Sequence, residues 1–237
     1  ENIHISKILI NYKNKIKVIF HFGEFSRIYQ SFLNRKDCIN SNIYNSFEVI
    51  NFAKDNNIKI IYSATSSNLG NNGKDQNSSP YAWTKTKNIE LIKNFSSWFG
   101  LKYEILYFYN VYGPGQITTG KMSTLIGIFE TQYKNKKPLT IVKPGTQKRD
   151  FTHINDIIEG CYKAMMKNKN KEYMLSFGKK YSVLQIAKMF NTKYKFISSR
   201  AGDRKDSIIT NDNAKKILGF KARISITDYI KNFVNTH

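Results

Sequence analysis

Residues 58–109 read IKIIYSATSSNLGNNGKDQNSSPYAWTKTKNIELIKNFSSWFGLKYEILYFY, and this stretch decides the fold class. Ile58 to Ala64 is a short apolar and β-branched run, which predicts a strand. The loop from Asn68 to Ser79 is rich in Asn, Gly and Ser, where turn chemistry dominates. Pro80 suits the first turn of a helix because its missing N–H would be unpaired there anyway. That helix is expected to run to about Phe99 and to stop at Gly100, since glycine accepts the left-handed turn that ends helices. Tyr103 to Tyr109 then reads as another strand. Strand, helix and strand in succession imply parallel pairing and an α/β fold.

The alternation extends outward from this stretch. Lys15 to Phe22 (KIKVIFHF) reads as a buried strand. Asn42 to Asp55 reads as a helix with Ile43, Phe47, Ile50 and Phe52 as core positions. Past Gly113-Pro114-Gly115 the pattern is less regular. It predicts a helix from Met122 to Tyr133 and a strand from Leu139 to Val142. A helix capped by Thr152 or Asn155 and running to about Lys167 follows, then a strand from Glu172 to Phe177. Three shorter helices are expected near Val183–Phe190, Asn213–Leu218 and Ile226–Phe233.

Composition bounds the function. The chain has 237 residues, 41% hydrophobic and 14% aromatic, enough for a real core and unlike a disordered chain. No apolar run approaches the length of a membrane-crossing helix, and Glu1-Asn2-Ile3-His4 lacks the layout of a signal peptide. Cys38 and Cys161 are too far apart in sequence for a metal or disulfide framework, so both read as structural. These features point to a cytoplasmic protein with no membrane partner and no metal. The net charge of +21 raises the question of nucleic acid. Only six basic residues are Arg, and Lys is scattered without a dense basic tail. The charge therefore reads as lysine on every solvated face, able to attract anionic substrates, and not as a nucleic-acid surface.

Tyr81 and Lys85 lie four residues apart on the expected helix and so share a face. A lysine ammonium beside a phenol favours the phenolate. Bringing a phenol from about 10 to neutral pH takes a shift of about 3 units, roughly 4 kcal/mol. A hydroxyl from the strand end Ser63-Ala64-Thr65-Ser66-Ser67 can hold the substrate oxygen whose proton is removed. A second Tyr-x-x-x-Lys match, Tyr133 with Lys137, lies at a polar helix end without such a strand before it and is not a candidate. His153 reads as a helix-start residue and not a catalyst.

With these residues in place, the chain resembles the extended short-chain dehydrogenases/reductases, and within them the NAD-dependent epimerase/dehydratase group that includes UDP-glucose 4-epimerase. The markers occur in family order over nearly the whole chain. They are His21-Phe22-Gly23, Thr65, Tyr81 with Lys85, Tyr109-Asn110-Val111-Tyr112-Gly113-Pro114, Arg149-Asp150-Phe151 and Arg200-Ala201-Gly202-Asp203. The resemblance implies a Rossmann-like doubly wound parallel sheet, its N-terminal strands missing, with a smaller C-terminal α/β lobe. Residues 1–118, with 151–177 returning to them, would form an incomplete NAD-binding domain. Residues 119–150 and 178–237 would form the nucleotide-sugar lobe.

The resemblance also implies roles. Tyr81 would be the general base, Lys85 the group that favours its ionisation and bonds the nicotinamide ribose, and Thr65 the catalytic hydroxyl. Phe22, Gly23, Asn42 and Phe108 would lie along NAD. Asn110, Arg149, Arg200 and Asp203 would hold the nucleotide sugar, the two arginines clamping its diphosphate. A homodimer built from the helices near Asn42–Asp55 and Pro80–Phe99 is implied as well.

Dehydratases of this group resemble one another in an acidic residue just after the catalytic Ser/Thr, where Ser66 and Ser67 stand here. Elimination is thereby disfavoured, and reversible hydride transfer at C4 of a UDP-hexose through a 4-keto intermediate is favoured. The expected substrates are UDP-glucose and UDP-galactose or their N-acetyl forms. Another nucleotide-sugar reductase or dehydratase, or a non-catalytic UDP-sugar-binding remnant, are the alternatives. One departure is large: the family's opening Gly-x-x-Gly-x-x-Gly turn has no counterpart, because Gly23 is the first glycine and belongs to a later strand. About 60 residues of βαβ structure would be absent. The chain is accordingly expected to be a truncated reading of a longer gene and to bind NAD poorly by itself.

Overall fold

The computed structural model describes residues 8–69, 75–199 and 211–237. Strand β1 (Val18–His21) leads into helices α1 (Ile28–Leu33) and α2 (Arg35–Ile39), a turn of π-helix at Asn40–Tyr44 and α3 (Asn45–Asp55). The next unit is β2 (Lys59–Thr65), α4 (Pro80–Phe99) and β3 (Tyr103–Phe108). After it come α5 (Leu125–Lys134), β4 (Leu139–Val142), β5 (Lys148–Asp150), α6 (Ile154–Met165) and β6 (Glu172–Leu175). The chain closes with β7 (Lys180–Ser182), α7 (Val183–Met189), β8 (Tyr194–Ile197), α8 (Asn213–Leu218) and α9 (Ile226–Thr236).

The central sheet has the order β1-β2-β3-β6, every pair parallel. Its inner strand β2 is buried along its whole length, which is why its sequence shows no regular alternation of apolar and polar residues. Ile60 and Tyr62 face a core formed with Ile50 and Phe52 of α3 and Ile89, Ile92 and Phe95 of α4. Ile61, one residue out of phase, faces the opposite core of Ile157, Cys161 and Ala164 from α6 and Ala214 and Leu218 from α8. A third core gathers Ile126 and Phe129 of α5, Leu139 and Ile141 of β4, Ile186 of α7 and Ile230 of α9. Gly160 lets α6 sit close on the sheet, since a Cβ there would meet Leu175 at 2.7 Å. No helix among the described residues is long and apolar enough to cross a membrane.

Several expectations need correction. Phe47 is 44% exposed and not in the core; it meets Phe95 edge-on with ring centroids 6.3 Å apart. Helices α1 and α2 and strands β5, β7 and β8 occupy segments where the pattern predicted none. Neither Thr152 nor Asn155 caps α6. His153 does, its ring nitrogen accepting the Asn155 N–H at 3.2 Å. Thr152 is fully buried instead, its hydroxyl directed to the Asp150 carboxylate and the Leu175 carbonyl.

Candidate active site

The site forms where β2 ends and α4 begins. The Ser79 hydroxyl caps α4 by accepting the Ala82 N–H at 3.1 Å, and Pro80 follows it. The Ser31 hydroxyl of α1 accepts the Tyr81 N–H at 3.2 Å and fixes the same turn from outside. Tyr81 and Lys85, one turn apart, are 7% and 3% exposed. Both line one cavity of about 490 Å³, within the usual range for small-molecule sites. Phe22, Thr65, Phe108, Asn110 and Arg149 line it too.

Lys85 is held by fixed acceptors. Its ammonium donates to the Ser63 carbonyl at 2.5 Å and to the Ser63 hydroxyl at 3.3 Å, and it forms an ion pair with Glu24. It also lies over the Tyr62 ring, 4.7 Å from the centroid. Thr65 donates to the Ser67 hydroxyl at 3.1 Å and accepts the Ser67 N–H at 3.2 Å, which turns the chain at the strand end.

Glu24 was not among the residues singled out by sequence. Besides Lys85, its carboxylate accepts from Ser46 at 2.5 Å, from Asn88 at 2.9 Å and from the Tyr62 hydroxyl at 3.1 Å. His21 stands 3.5 Å away. Burial pushes the Glu24 carboxyl up, but the Lys85 ammonium and the bonds from His21 and Lys85 outweigh it and hold the pKa at about 2. The Tyr62 phenol is pushed well above its ordinary value by burial and then by Glu24.

The far wall comes from β5. Arg149, buried at 8% exposure, donates to the Lys148 carbonyl at 2.9 Å. Its neighbour Asp150 anchors the strand by accepting from Ser176 at 2.7 Å and from the N–H groups of Phe177 at 3.1 Å and Gly178 at 2.7 Å. Burial still raises the Asp150 carboxyl above its ordinary value. Asn110 has φ +25° and donates to the Asp150 carbonyl at 2.7 Å, tying the exit of β3 to β5. Arg27 also lines the cavity, its Nε and Nη2 donating to the Met122 carbonyl at 3.0 and 2.5 Å. Burial lowers the Arg27 pKa, and Tyr81 opposes that shift.

Gly23 and Asn42 do not line the cavity. Asn42 is fully buried, accepts the Phe25 N–H at 2.7 Å and donates to Phe25 O and the Thr84 hydroxyl, each at 3.0 Å. It staples the segment carrying Glu24 to α4. Phe22 and Phe108 meet edge-on, centroids 5.4 Å apart. Arg200 and Asp203 lie outside the described residues. Among the described residues no cluster of His, Cys, Asp or Glu could hold a metal ion. Both cysteines are buried and unpaired, and burial pushes the Cys161 thiol up to about 12.

The model of the NAD dependent epimerase/dehydratase family matches residues 5–177. An uncharacterised protein of Methanocaldococcus jannaschii is 28% identical over 95% of this chain and 73% of its own length. A UDP-glucuronate 4-epimerase of Thermodesulfobacterium geofontis is 27% identical over 93% of this chain and 72% of its own length. Among solved structures, a UDP-glucose 4-epimerase of Thermotoga maritima with UDP-glucose superposes with a TM-score of 0.89 at 23% identity, covering 99% of this chain and 82% of that one. The parallel sheet clothed on both faces is the Rossmann-like fold of such epimerases.

Proposed function

The chain belongs to the NAD dependent epimerase/dehydratase family, and from that premise we propose that it inverts C4 of a UDP-hexose of the glucose/galactose type. The observation that carries this reading is the burial of Tyr81, Lys85 and Thr65 around one cavity. In this reading Tyr81 takes the proton of the sugar C4 hydroxyl and later returns one to the same oxygen. Thr65 holds that oxygen while the proton moves. Lys85 keeps a positive charge one helical turn from the phenol. NAD, when bound, supplies the chemistry of taking up and returning the hydride at C4.

The residues present fit the nicotinamide–ribose end of that cofactor. The Lys85 ammonium would bond the ribose hydroxyls in exchange for its 3.3 Å contact with the Ser63 hydroxyl, and Phe22 and Phe108 would lie along the cofactor. Gly23 faces open space, with nothing within 4 Å of a Cβ built on it, so a ligand can come close to the backbone there. Residues 1–118 with 151–177 would carry the cofactor and residues 119–150 with 178–237 the nucleotide sugar. Arg149 would meet the diphosphate and Asn110 the sugar. We further read the protein as cytoplasmic, in keeping with its unpaired cysteines. A homodimer through α3 and α4 is favoured by the exposed Phe47, Trp98 and Phe99.

The test is product analysis after incubation with UDP-glucose at saturating NAD. What turnover the chain supports should be slow and yield UDP-galactose of unchanged mass, and loss of water would replace the epimerase reading by a dehydratase one. Tyr81→Phe should lower turnover by at least about 100-fold, because it removes the proton-transfer group. Full activity in that variant would sink the mechanism. A second reading, epimerisation of a UDP-hexuronate, is favoured by the Arg27 guanidinium in the cavity wall, where a sugar carboxylate would find a partner. Parallel assays with UDP-glucuronate separate the two.

A further inference from the structure

The ammonium of Lys85 has a counterion inside the site. Glu24 lies 61 residues earlier in the chain, and its carboxylate is 1% exposed. Hydroxyl and amide donors from three elements hold it in place: Ser46 of α3, Tyr62 of β2 and Asn88 of α4. The side chain lines the cavity that contains Tyr81. We propose that Glu24 is the positioning residue of this site, fixing the Lys85 ammonium in place and setting the pH at which Tyr81 becomes a base.

An unpaired ammonium near a phenol favours the phenolate, whereas an ammonium closed onto a carboxylate presents a nearly neutral pair. The neutral pair favours it less. Glu24 therefore trades some of the acidifying effect of Lys85 for a rigidly placed ammonium. Other ionisable groups stand around the pair and the phenol: His21 from β1, Cys38 from α2 and Tyr62 from β2 beside Glu24, and Arg27 and Tyr62 beside Tyr81. Of these, His21 is the one histidine, the residue type whose charge changes near neutral pH, so it is the competing source to be tested. The proposal rests on Tyr81 being the base and is independent of which sugar is used.

The experiment is a titration of phenolate absorbance, read as the difference between each protein and its Tyr81→Phe counterpart, without cofactor or sugar. Glu24→Gln keeps the shape and an acceptor oxygen for Lys85 and removes only the charge. The Tyr81 signal should then appear about one pH unit lower than in the parent protein. Glu24→Asp, which keeps the charge but draws it back by one methylene, should fall between them. Near-UV circular dichroism checks folding, and if Glu24→Gln does not fold, Glu24→Asp decides alone. A signal at the parental pH in the folded variants overturns the proposal, and so does a signal that follows His21→Gln and ignores Glu24. No turnover is read, so the two failures stay distinct. An unmoved signal refutes the role of Glu24 even in an active epimerase. A moved signal in a protein that converts no UDP-sugar refutes only the epimerase reading.

Discussion

Glu24 also links the site to the stability of the protein. Its folded pKa of about 2 lies below the ordinary 4.5, so the ionised carboxylate contributes stability that is fully present above about pH 4.5. That contribution is lost as pH falls toward 2, and it amounts to about 3 kcal/mol for a shift of this size. Chemical denaturation between pH 6 and 2 should show the parent protein losing more stability than Glu24→Gln by roughly that amount. Equal slopes would mean that the ion pair with Lys85 adds nothing in the folded state. Tyr81 and Lys85 could be found in the sequence because helix geometry puts residues four apart on one face, and Thr65 because it ends the strand that leads into that helix. Glu24 could not be found that way, because its partner is distant in sequence and only the fold brings them together. A single carboxylate inside the aromatic run Phe20-His21-Phe22-Gly23-Glu24-Phe25 of a Lys-rich chain was the one available signal.

At the scale of elements, legibility follows how local the stabilising contacts are. Helix α4 begins and ends where the sequence placed it, because Ser79 and Pro80 start it and Gly100, at φ +75°, ends it. Strands β5 and β7 had no such signal. They are three residues each and exist through pairing with each other, Arg149 opposite Tyr181, so no run of apolar residues announces them. Ser79→Ala should therefore lower stability by about 1 kcal/mol through loss of the cap, measured by urea denaturation. A change below a few tenths would show that Pro80 and Ser31 suffice to start the helix. Gly160→Ala tests packing and not propensity. Its Cβ would lie 2.7 Å from Leu175 and 3.2 Å from Phe220, so these buried side chains or α6 itself must shift despite alanine's better helix propensity. A loss of about 1–3 kcal/mol is expected, and a gain would mean that Leu175 can yield.

For the whole molecule, the two faces of the sheet raise a question of what covers the outer helices. On one side α3 and α4 bury Ile50, Phe52, Ile89 and Ile92 inward, yet large aromatics stand among the polar side chains of their outer surface. Phe47, Trp98 and Phe99 are 44%, 62% and 56% exposed. All three ring systems contact Phe95, so they form one continuous patch and not scattered single side chains. Large aromatics clustered in this way supply most of the binding energy of protein interfaces, while a monomer gains nothing from showing them to water. The net charge of +21 opposes association of two copies, but Lys54 lies over the Phe99 ring at 5.1 Å, which draws one of those charges onto the patch. A twofold contact of two antiparallel helix pairs would use the same residues on both copies. Light scattering coupled to size exclusion should accordingly give twice the chain mass. The pair Phe47→Asp and Trp98→Asp should give a monomer with unchanged far-UV circular dichroism, since both side chains lie outside the core. A parent protein that elutes as a monomer would refute the dimer and leave the patch without a partner in this chain. A dimer that survives both substitutions would place the interface elsewhere. Phe47, Trp98 and Phe99 are not among the described residues that line the Tyr81 cavity, so both substitutions should leave its geometry unchanged.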